Sequence, residues 1–403
     1  MKKFTALFLS LCLISFSVFV MGISSFAETN GEFEYNVLED NTAEITKYTG
    51  SGQNLIIPSE LDGHKITKIG DNAFENCSSI TAVTVADGVT AIGFCAFAYC
   101  NSIESVTIPE SVTSIGMAAF IGCSSLTAFS VPVENADYCS QNGILFNKDK
   151  TEIICYPAGK TTAEYEIPDS VTAIGIYAFT GCASLETVSI PDSTVNIGDG
   201  AFSNCVSLKT LEFPDSVTRI GNYAFACCNS LEAIVIPNGT ANINDGAFSA
   251  CSSLISITIP DSVTSIGEDA FSYCPSLTGV IIPNSVTRID NYAFAYCSSL
   301  INIIIPDSVT VIGDAFHGCN KITLYGHLDS YAQSYATEKS ISFAALGDAD
   351  ANGTVNSNDY EMIKRYVMCT EALTAEQCIA ADYNCDGAID AFDAIAIDVY
   401  LHS

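Results

Sequence analysis

Two short acidic segments near the C-terminus have the residue types and spacing of a metal site. Loop 1 spans residues 348–359, and loop 2 spans residues 382–393. Each has oxygen-bearing side chains at loop positions 1, 3 and 5, Gly at 6, a backbone carbonyl at 7 and a carboxylate at 12. These oxygens suit a hard cation such as Ca²⁺, which binds six to eight oxygen ligands. We therefore expect two Ca²⁺ ions as cofactors. The predicted ligands are Asp348, Asp350, Asn352, Thr354, Asn356 and Asp359 in loop 1, and Asp382, Asn384, Asp386, Ala388, Asp390 and Asp393 in loop 2.

The segment that carries both loops departs from a full EF-hand. Position 12 is Asp359 in loop 1 and Asp393 in loop 2, where Glu is usual, and no helix is predicted before loop 1. With the tandem duplication, residues 347–403 resemble a type I dockerin over its whole length. The resemblance implies a small all-α domain that folds around two Ca²⁺ and binds a cohesin module of a cellulosomal scaffoldin. Without metal the clustered carboxylates repel, so folding and calcium binding are expected to be linked.

The same resemblance implies which residues contact the cohesin. In the first copy they are Ser357, Asn358, Lys364 and Arg365. Their counterparts in the second copy are Ala391, Phe392, Asp398 and Val399. This asymmetry favours a single binding mode through the first copy. The alternative is that the two basic residues are solvated helix charges, which often contribute little.

Almost all of the chain before residue 347 is one repeated unit. Its Ala-Phe-x-x-Cys signature recurs mostly every 23 residues, with one step of 59. The repeated phenylalanines are Phe74, Phe97, Phe120, Phe179, Phe202, Phe225, Phe248, Phe271, Phe294 and Phe316. A fixed period of this length predicts a solenoid, in which stacked units bury one another's apolar faces.

One unit, residues 260–282, predicts a strand, a turn and a short helix. Residues 277–282 alternate as in a half-buried strand, and Ala270, Phe271 and Cys274 have the spacing of a short helix with one buried side. The turn position predicts a left-handed backbone, because Gly, Asn and Asp tolerate positive φ. That position holds Gly70, Gly93, Gly116, Gly175, Gly198, Gly221, Asn244, Gly267, Asp290 and Gly313.

The motif I-P-x-x-V-x-x-I-G-x-x-A-F-x-x-C-x-x-L, repeated over residues 58–320, resembles the BspA-like leucine-rich repeats. The fold class expected is therefore an α/β repeat solenoid followed by a small all-α calcium-binding domain. We expect a signal peptide at residues 1–27, an N-terminal cap hairpin at 28–57, a solenoid with its C-terminal cap at 58–346, and a dockerin at 347–403.

The first 27 residues have the pattern of a secretory signal. Lys2 and Lys3 precede an apolar run, and Ser25 and Ala27 place small residues at the −3 and −1 positions. We expect a secreted, extracellular protein, associated with the cell surface through a cellulosome complex. A retained membrane anchor is the alternative at this segment; no later stretch reaches the length of a span, so no membrane insertion is expected.

Irregular segments are expected to close or interrupt the repeat. Residues 33–38 and 43–48 predict a hairpin that covers the first coil. A second hairpin, residues 143–146 and 152–156, accounts for the 59-residue step as an ordinary variant of the unit. A helix at residues 331–336, started by Ser330, is expected to close the solenoid with residues 341–343.

Ten cysteines occupy one repeat position and need an interpretation. Equivalent side chains of adjacent coils lie parallel at ~4.8 Å, whereas disulfide Cβ atoms converge to ~3.8 Å. We therefore expect a column of buried free thiols that act as small hydrophobes. The column comprises Cys77, Cys100, Cys123, Cys182, Cys205, Cys228, Cys251, Cys274, Cys297 and Cys319.

Outward strand positions become apolar toward the C-terminal half. The predicted patch consists of Val235, Ile255, Ile281, Ile301 and Ile304. It is a candidate protein-contact surface. The alternatives are that β-branched residues simply suit an exposed strand, or that the C-terminal cap folds over them.

Composition and motifs limit the functional classes. A formal charge of −31 disfavours nucleic acid and anionic membranes as partners. The histidines His64, His317, His327 and His402 lie in no nucleophile or zinc motif. We expect a secreted, non-catalytic binding protein whose solenoid recognises an unknown protein or surface polymer. A free adhesin or host-interacting protein and a hydrolase of plant polymers remain alternatives.

Overall fold

A computed structural model of the protein describes residues 28–402, and the signal-peptide prediction falls outside them. No helix among the described residues is long and apolar enough to cross a membrane. The chain winds into stacked coils, each with a first strand and a second strand joined by turns. Strands of most successive coils pair in parallel, with like residues opposite one another, as Ile266 is opposite Ile289. This register places identical side chains in columns.

The first strands form one row of short parallel sheets. They are Asn54–Ile56, Ala82–Thr84, Ser105–Thr107, Ala128–Ser130, Glu164–Glu166, Thr187–Ser189, Thr210–Glu212, Ala233–Val235, Ser256–Thr258, Gly279–Ile281, Asn302–Ile304, Thr323–Gly326 and Ser342–Ala345. The second strands form the other row. They are His64–Ile69, Ala91–Ile92, Ser114–Ile115, Glu152–Cys155, Ala173–Ile174, Asn196–Ile197, Arg219–Ile220, Asn242–Ile243, Ser265–Ile266, Arg288–Ile289 and Val311–Ile312.

The predicted short helix in each coil is wrong; a run of turns takes its place. The amide of Ala270 bonds within its coil to the carbonyl of Gly267 at 3.3 Å, but the amide of Phe271 bonds to Ala293 of the next coil at 2.7 Å. Positive φ at Asp269 and Tyr273 lets alternate amides point along the stack, which a helix does not permit. We call this third ladder, present in every regular coil, the turn column.

The predicted left-handed backbone at the repeated Gly position is also wrong. Positive φ occurs two residues later, for example at Asp269, two after Gly267. Glycine is favoured at this position for another reason, although Asn244 and Asp290 take its place in two coils. A Cβ added to Gly198 would lie 2.7 Å from the backbone nitrogen of Ile176 in the preceding coil. Close stacking of successive coils therefore selects the glycine.

Aromatic and thiol columns fill the core. The rings of Phe248 and Phe271 stack with centroids 5.6 Å apart, and the repeated phenylalanines continue this stack along the coils. The Cys274 thiol donates to the Phe248 carbonyl, with an Sγ–O distance of 3.3 Å. All cysteines of the described residues are free, and burial raises the pKa of the Cys251 thiol. The predicted column of buried free thiols is confirmed, except that Cys77 is partly exposed.

A hairpin and a helix are present at the two ends where closing elements were predicted. The antiparallel strands Phe33–Val37 and Ala43–Tyr48 cover the first coil, and Glu28–Asn30 pairs at their edge. Within the first coil, the short strand Glu60–Leu61 pairs with the second strand, His64–Ile69. Helix α1, Tyr331–Lys339, closes the other end. Ser330 caps it, because its side chain accepts a hydrogen bond from the Gln333 amide.

The insertion divides the solenoid into two cores. The predicted hairpin is present as Ile144–Asn147 and Glu152–Cys155, with a further antiparallel strand, Tyr138–Gln141. Neither row of strands continues in parallel pairing from the coil of Phe120 to the coil of Tyr156. The buried apolar residues form one cluster on each side of this junction. We call the junction the seam.

Three helices follow loop 1. Helix α2 spans Ser357–Val367, α3 spans Ala375–Ala381 and α4 spans Ala391–His402. Helices α2 and α4 pack on each other around Ile363 and Ile397, which are fully buried. This core is far smaller than that of the solenoid, so the domain depends on other interactions for its stability.

Candidate calcium and partner sites

Loop 1 brings three of its predicted carboxylates together. Oxygen atoms of Asp348, Asp350 and Asp359 all lie within 4.8 Å of one another. The amides of Asn352 and Gly353 donate to Asp348 at 3.0 and 2.8 Å, which bends the loop around that carboxylate. Gly353 has a φ of 87°, a conformation that favours glycine. The sharp turn predicted at loop position 6 is therefore present.

The remaining predicted ligands of loop 1 line the same turn. The Asn352 side chain accepts from the Thr354 amide at 2.9 Å, and the Thr354 carbonyl accepts from the Asn356 side chain at 3.1 Å. Asn356 caps α2, with Asp359 completing the capping box. Asp359 is fully buried, and both of its oxygens accept backbone amides, from Asp350 and Asn356.

Loop 2 repeats this hydrogen-bond framework. The amides of Asp386 and Gly387 donate to Asp382, and those of Asn384 and Asp390 donate to the fully buried Asp393. The Asn384 side chain bonds to Asp386 at 2.8 Å, which holds two predicted ligands side by side. Ala388, whose carbonyl is the predicted backbone ligand, donates its amide to Asp386. Three converging carboxylates are found in loop 1 only, among the residues the structure describes.

The buried carboxylates are suited to a cation. Burial raises the pKa of Asp359 and of Asp393, and raises that of Asp382 to about 6. No Lys, Arg or His within the described residues forms a salt bridge with a predicted ligand of either loop. A divalent cation would supply the missing positive charge, and carboxylate, amide and carbonyl oxygens are the ligands that Ca²⁺ prefers. The residues present therefore fit the predicted ion.

The predicted cohesin-contacting residues share the exposed side of α2. Ser357 and Asn358 form its first turn and are exposed. Lys364 pairs with Glu361 at 3.3 Å, and Arg365 pairs with Glu371 at 2.6 Å. Both basic side chains remain about half exposed, so a partner can reach them.

The second copy presents an apolar face in the equivalent place. Phe392 and Val399 are 67% and 63% exposed on α4, and Ile395 between them is 57% exposed. The sequence comparison of the two copies missed Ile395, which the i, i+3, i+7 spacing with Phe392 and Val399 could have found. The two copies therefore differ in chemistry while sharing a backbone framework.

The predicted strand-face patch is confirmed for four of its five residues. Val235, Ile255, Ile281 and Ile301 are about half exposed or more. Ile304, however, is only 6% exposed, because the calcium-loop domain packs over it. The predicted exposure of Ile304 is wrong, since a neighbouring domain covers that position.

The contact between domains combines apolar packing with hydrogen bonds. Ile304, Tyr325 and Leu346 pack against Ala380 and Cys385. His327 links the two parts: one ring nitrogen lies 2.9 Å from Asp307, and the other lies 2.8 Å from the Tyr383 carbonyl. Sequence reasoning gave no indication of this contact, because these residues are far apart along the chain.

Loop 2 faces the strand rows directly. A Cβ added to Gly387 would lie 3.3 Å from Ile281, and the Asn284 side chain reaches the Asn384 carbonyl at 3.4 Å. A cleft of about 830 Å³ remains between loop 2 and the first strands. The second calcium loop is thus part of the contact between domains.

Comparisons with known proteins agree with this architecture. The description "BspA type Leucine rich repeat region" matches residues 44–158, 155–277 and 218–333, more than half of the chain. The chain therefore belongs to the BspA-type leucine-rich-repeat family. The type I dockerin domain matches residues 346–402, which identifies the C-terminal segment as such a domain.

Solved structures of other leucine-rich-repeat proteins are similar. One from Eubacterium ventriosum is 26% identical, with a TM-score of 0.56, over 74% of this chain and 95% of that chain. A leucine-rich cell surface protein from Faecalibacterium prausnitzii is 29% identical, over 78% of this chain and 98% of that chain, with a TM-score of 0.44. No curated protein matches the chain.

Proposed function

We propose that this protein is a secreted, non-catalytic binding protein of a cellulosome, held on a scaffoldin by its dockerin. The framework of loops 1 and 2 carries this proposal, because each buries a carboxylate, Asp359 or Asp393, that a cation would neutralise. The dockerin match gives the partner class, a cohesin. The solenoid is then the part that meets a protein or surface polymer.

Two Ca²⁺ ions would hold the dockerin in its binding form. Asp348, Asp350 and Asp359 would ligate one, and Asp382, Asp386 and Asp393 the other, with the amide and carbonyl oxygens of each loop completing the sets. The chain's own contribution is to fix α2 and α4 to the two loops, through the capping box of Asn356 and Asp359 and the amide bonds to Asp393. Calcium binding would thereby orient the helix faces that contact a partner.

The face of α2 is the one we assign to the cohesin. Ser357, Asn358, Lys364 and Arg365 lie together on it, and its basic pair contrasts with the apolar Phe392 and Val399 of α4. Charged hydrogen bonds from Lys364 and Arg365 to a partner would set specificity and rate of encounter. Both residues would first exchange their present partners, Glu361 and Glu371.

The test is capture of the full mature chain by a panel of purified cohesin modules, with and without a chelator. The double variant Lys364→Ala and Arg365→Ala should lose capture at least tenfold while still binding calcium. Lys321→Ala, an exposed lysine of the solenoid, is the matched control and should bind like the wild type. The double variant Phe392→Ala and Val399→Ala should also bind normally if one mode operates.

Three results would count against this assignment. Undiminished capture by the Lys364 and Arg365 variant would remove the assignment to α2. Loss of capture on changing Phe392 and Val399 would move the contact to α4. Failure of every cohesin in the panel would leave the free-adhesin alternative, and hydrolysis of plant polymers by the 58–346 fragment would overturn the non-catalytic part.

A further inference from the structure

The seam interrupts a hydrogen-bond ladder that is otherwise regular. At each regular junction between coils, three alternate amides of the turn column donate to the next coil; the amide of Phe97, for example, donates to Ala119 at 2.8 Å. The equivalent amides at the seam belong to Ala118, Phe120 and Gly122. None of the three donates a hydrogen bond to any described residue. The ladder resumes beyond the seam, where Tyr156 donates to Ala178 at 2.7 Å.

The aromatic stack is interrupted at the same place. Phe120 stacks on Phe97 but meets Phe129 edge-on on its other side. Tyr156 begins a new stack with Phe179, at 4.9 Å. The last coil also lacks a following coil, but there Phe316 packs against Tyr335 of α1. The seam thus has neither a regular neighbouring coil nor a covering helix.

A cavity occupies the gap. Its volume is about 250 Å³, and its walls include the apolar side chains of Phe120, Leu126, Ile154 and Tyr156. Residues 116–121 also line it, so two of the three residues whose amides lack partners, Ala118 and Phe120, belong to its wall, and Gly122 follows directly in the chain. Buried or half-buried backbone amides are almost always hydrogen-bonded in folded proteins. The site therefore offers both donors and an apolar surface.

One charged group lines the same cavity. Glu152 is half-buried there, and no cationic side chain of the described residues lies within salt-bridge distance of it. Burial raises its pKa, as expected for a carboxyl with reduced solvation and no opposite charge. A ligand that brings a basic group would compensate this carboxylate. Charge complementarity thus adds to the hydrogen-bond requirement.

We propose that the seam binds an extended polypeptide segment in which an apolar side chain alternates with a Lys or Arg. The spacing supports this, because carbonyls on one edge of an extended strand recur at every second residue, as do the amides of Ala118, Phe120 and Gly122. Strand addition of this kind takes affinity from the main chain and specificity from side-chain pockets. The inference rests on the proposed role of the solenoid as the ligand-binding part and names a class of ligand for it.

The test uses the full mature chain in calcium and the fluorescent peptide TVKVTVKVTV as a probe. A peptide with Glu in place of both Lys residues is the matched control. We expect the lysine peptide to bind at least tenfold more tightly than the glutamate peptide by fluorescence anisotropy. Hydrogen exchange should slow in residues 117–123 on binding and stay unchanged at Phe97, whose amide is already bonded.

Two isosteric variants separate the charge from the fold. Glu152→Gln should reduce the ratio of affinities for the lysine and glutamate peptides to about twofold. Glu164 is an exposed acidic residue outside the cavity, and Glu164→Gln should leave that ratio unchanged. An unchanged lysine preference in Glu152→Gln would overturn the charge assignment. Absence of peptide binding, or binding without protection at residues 117–123, would overturn the site.

Cohesin capture is measured on the same samples. Normal capture with no peptide binding would remove the seam inference and leave the dockerin attachment standing. Normal peptide binding with failed capture would have the opposite meaning. The two proposals therefore fail separately.

Discussion

The solenoid and the dockerin differ in the kind of residue that each buries, and therefore in the source of their stability. In the solenoid, the fully buried residues are rings and aliphatic chains such as Phe248, and the acidic residues lie outside. In the dockerin, the fully buried residues include the carboxylates Asp359 and Asp393. Apolar burial stabilises without any cofactor, whereas a buried carboxylate is favourable only when its charge is compensated. The solenoid should therefore fold by itself, and the dockerin should require an ion.

Removal of calcium is expected to produce the largest difference between the two regions. A ligand present at about 1,000 times its dissociation constant stabilises a fold by about 4 kcal/mol, which is a large share of the stability of so small a domain. Chelation should unfold α2, α3 and α4 while the strand rows persist. Hydrogen exchange of the mature chain, with and without chelator, measures both regions at once.

One result of this exchange experiment would contradict the expected dependence of the dockerin on calcium. Protection of α2 and α4 that survives the chelator would mean that the apolar contact of Ile363 with Ile397 suffices. Addition of excess calcium is the control and should restore exchange to its starting rate. A matched addition of magnesium should restore it less, because Mg²⁺ demands a tighter octahedral geometry.

Truncation of one ring should weaken the solenoid and spare the dockerin. Phe248→Ala removes a ring stacked between Phe225 and Phe271, and such changes destabilise by about 3–5 kcal/mol. Urea unfolding in calcium measures the loss. Ile255→Ala, at an exposed strand position, should change stability by less than about 0.5 kcal/mol. Equal effects of the two variants would show that the stack is not the source of stability.

One added methyl group tests whether close stacking selects glycine. In Gly198→Ala the new Cβ would meet the Ile176 backbone at 2.7 Å, and overpacking of this kind costs about 1–3 kcal/mol. Gly279→Ala, with no atom within 4 Å of its added Cβ, should be neutral or slightly stabilising. Thermal unfolding of both variants in calcium gives the comparison. A neutral Gly198→Ala would argue against the stacking explanation.

The smallest expected effect concerns the contact between the two regions. His327→Ala removes the hydrogen bond to the Tyr383 carbonyl, a loss of about 1 kcal/mol. Exchange in residues 379–387 should accelerate several-fold, while calcium binding persists. His64→Ala, in the remote first coil beside the N-terminal cap, is the control. No change in exchange would mean that apolar packing around Ile304 alone holds the contact.

The sequence predicted the features that depend on local chemistry and on repetition. The period of Phe248 and its equivalents predicted the stacked coils, and the spacing of Asp348, Asp350 and Asp359 predicted the cluster of carboxylates. The capping position of Ser330 likewise predicted the start of α1. In each case the necessary neighbours are nearby in the sequence or are copies of the same residue.

The features that sequence reasoning missed depend on contacts between coils or domains. The i, i+1, i+4 spacing of Ala270, Phe271 and Cys274 suggested a helix, but alternate amides of this segment, such as that of Phe271, bond to the next coil instead. Gly198 suggested positive φ, whereas a steric contact with Ile176 selects it. The burial of Ile304 required knowledge of where the dockerin packs. Periodicity gives the contents of each column and leaves these long-range contacts undetermined.

The position of the seam sets its distance from the dockerin end of the solenoid. Seven coil-to-coil steps separate Tyr156 from Phe316, and at a strand spacing of ~4.8 Å they span about 35 Å. If the dockerin is bound to a scaffoldin, the solenoid would extend away from that scaffoldin. The seam would then lie about this distance from the point of attachment. A single repeat inserted or deleted on that side would change this reach by one strand spacing while leaving both ends unaltered.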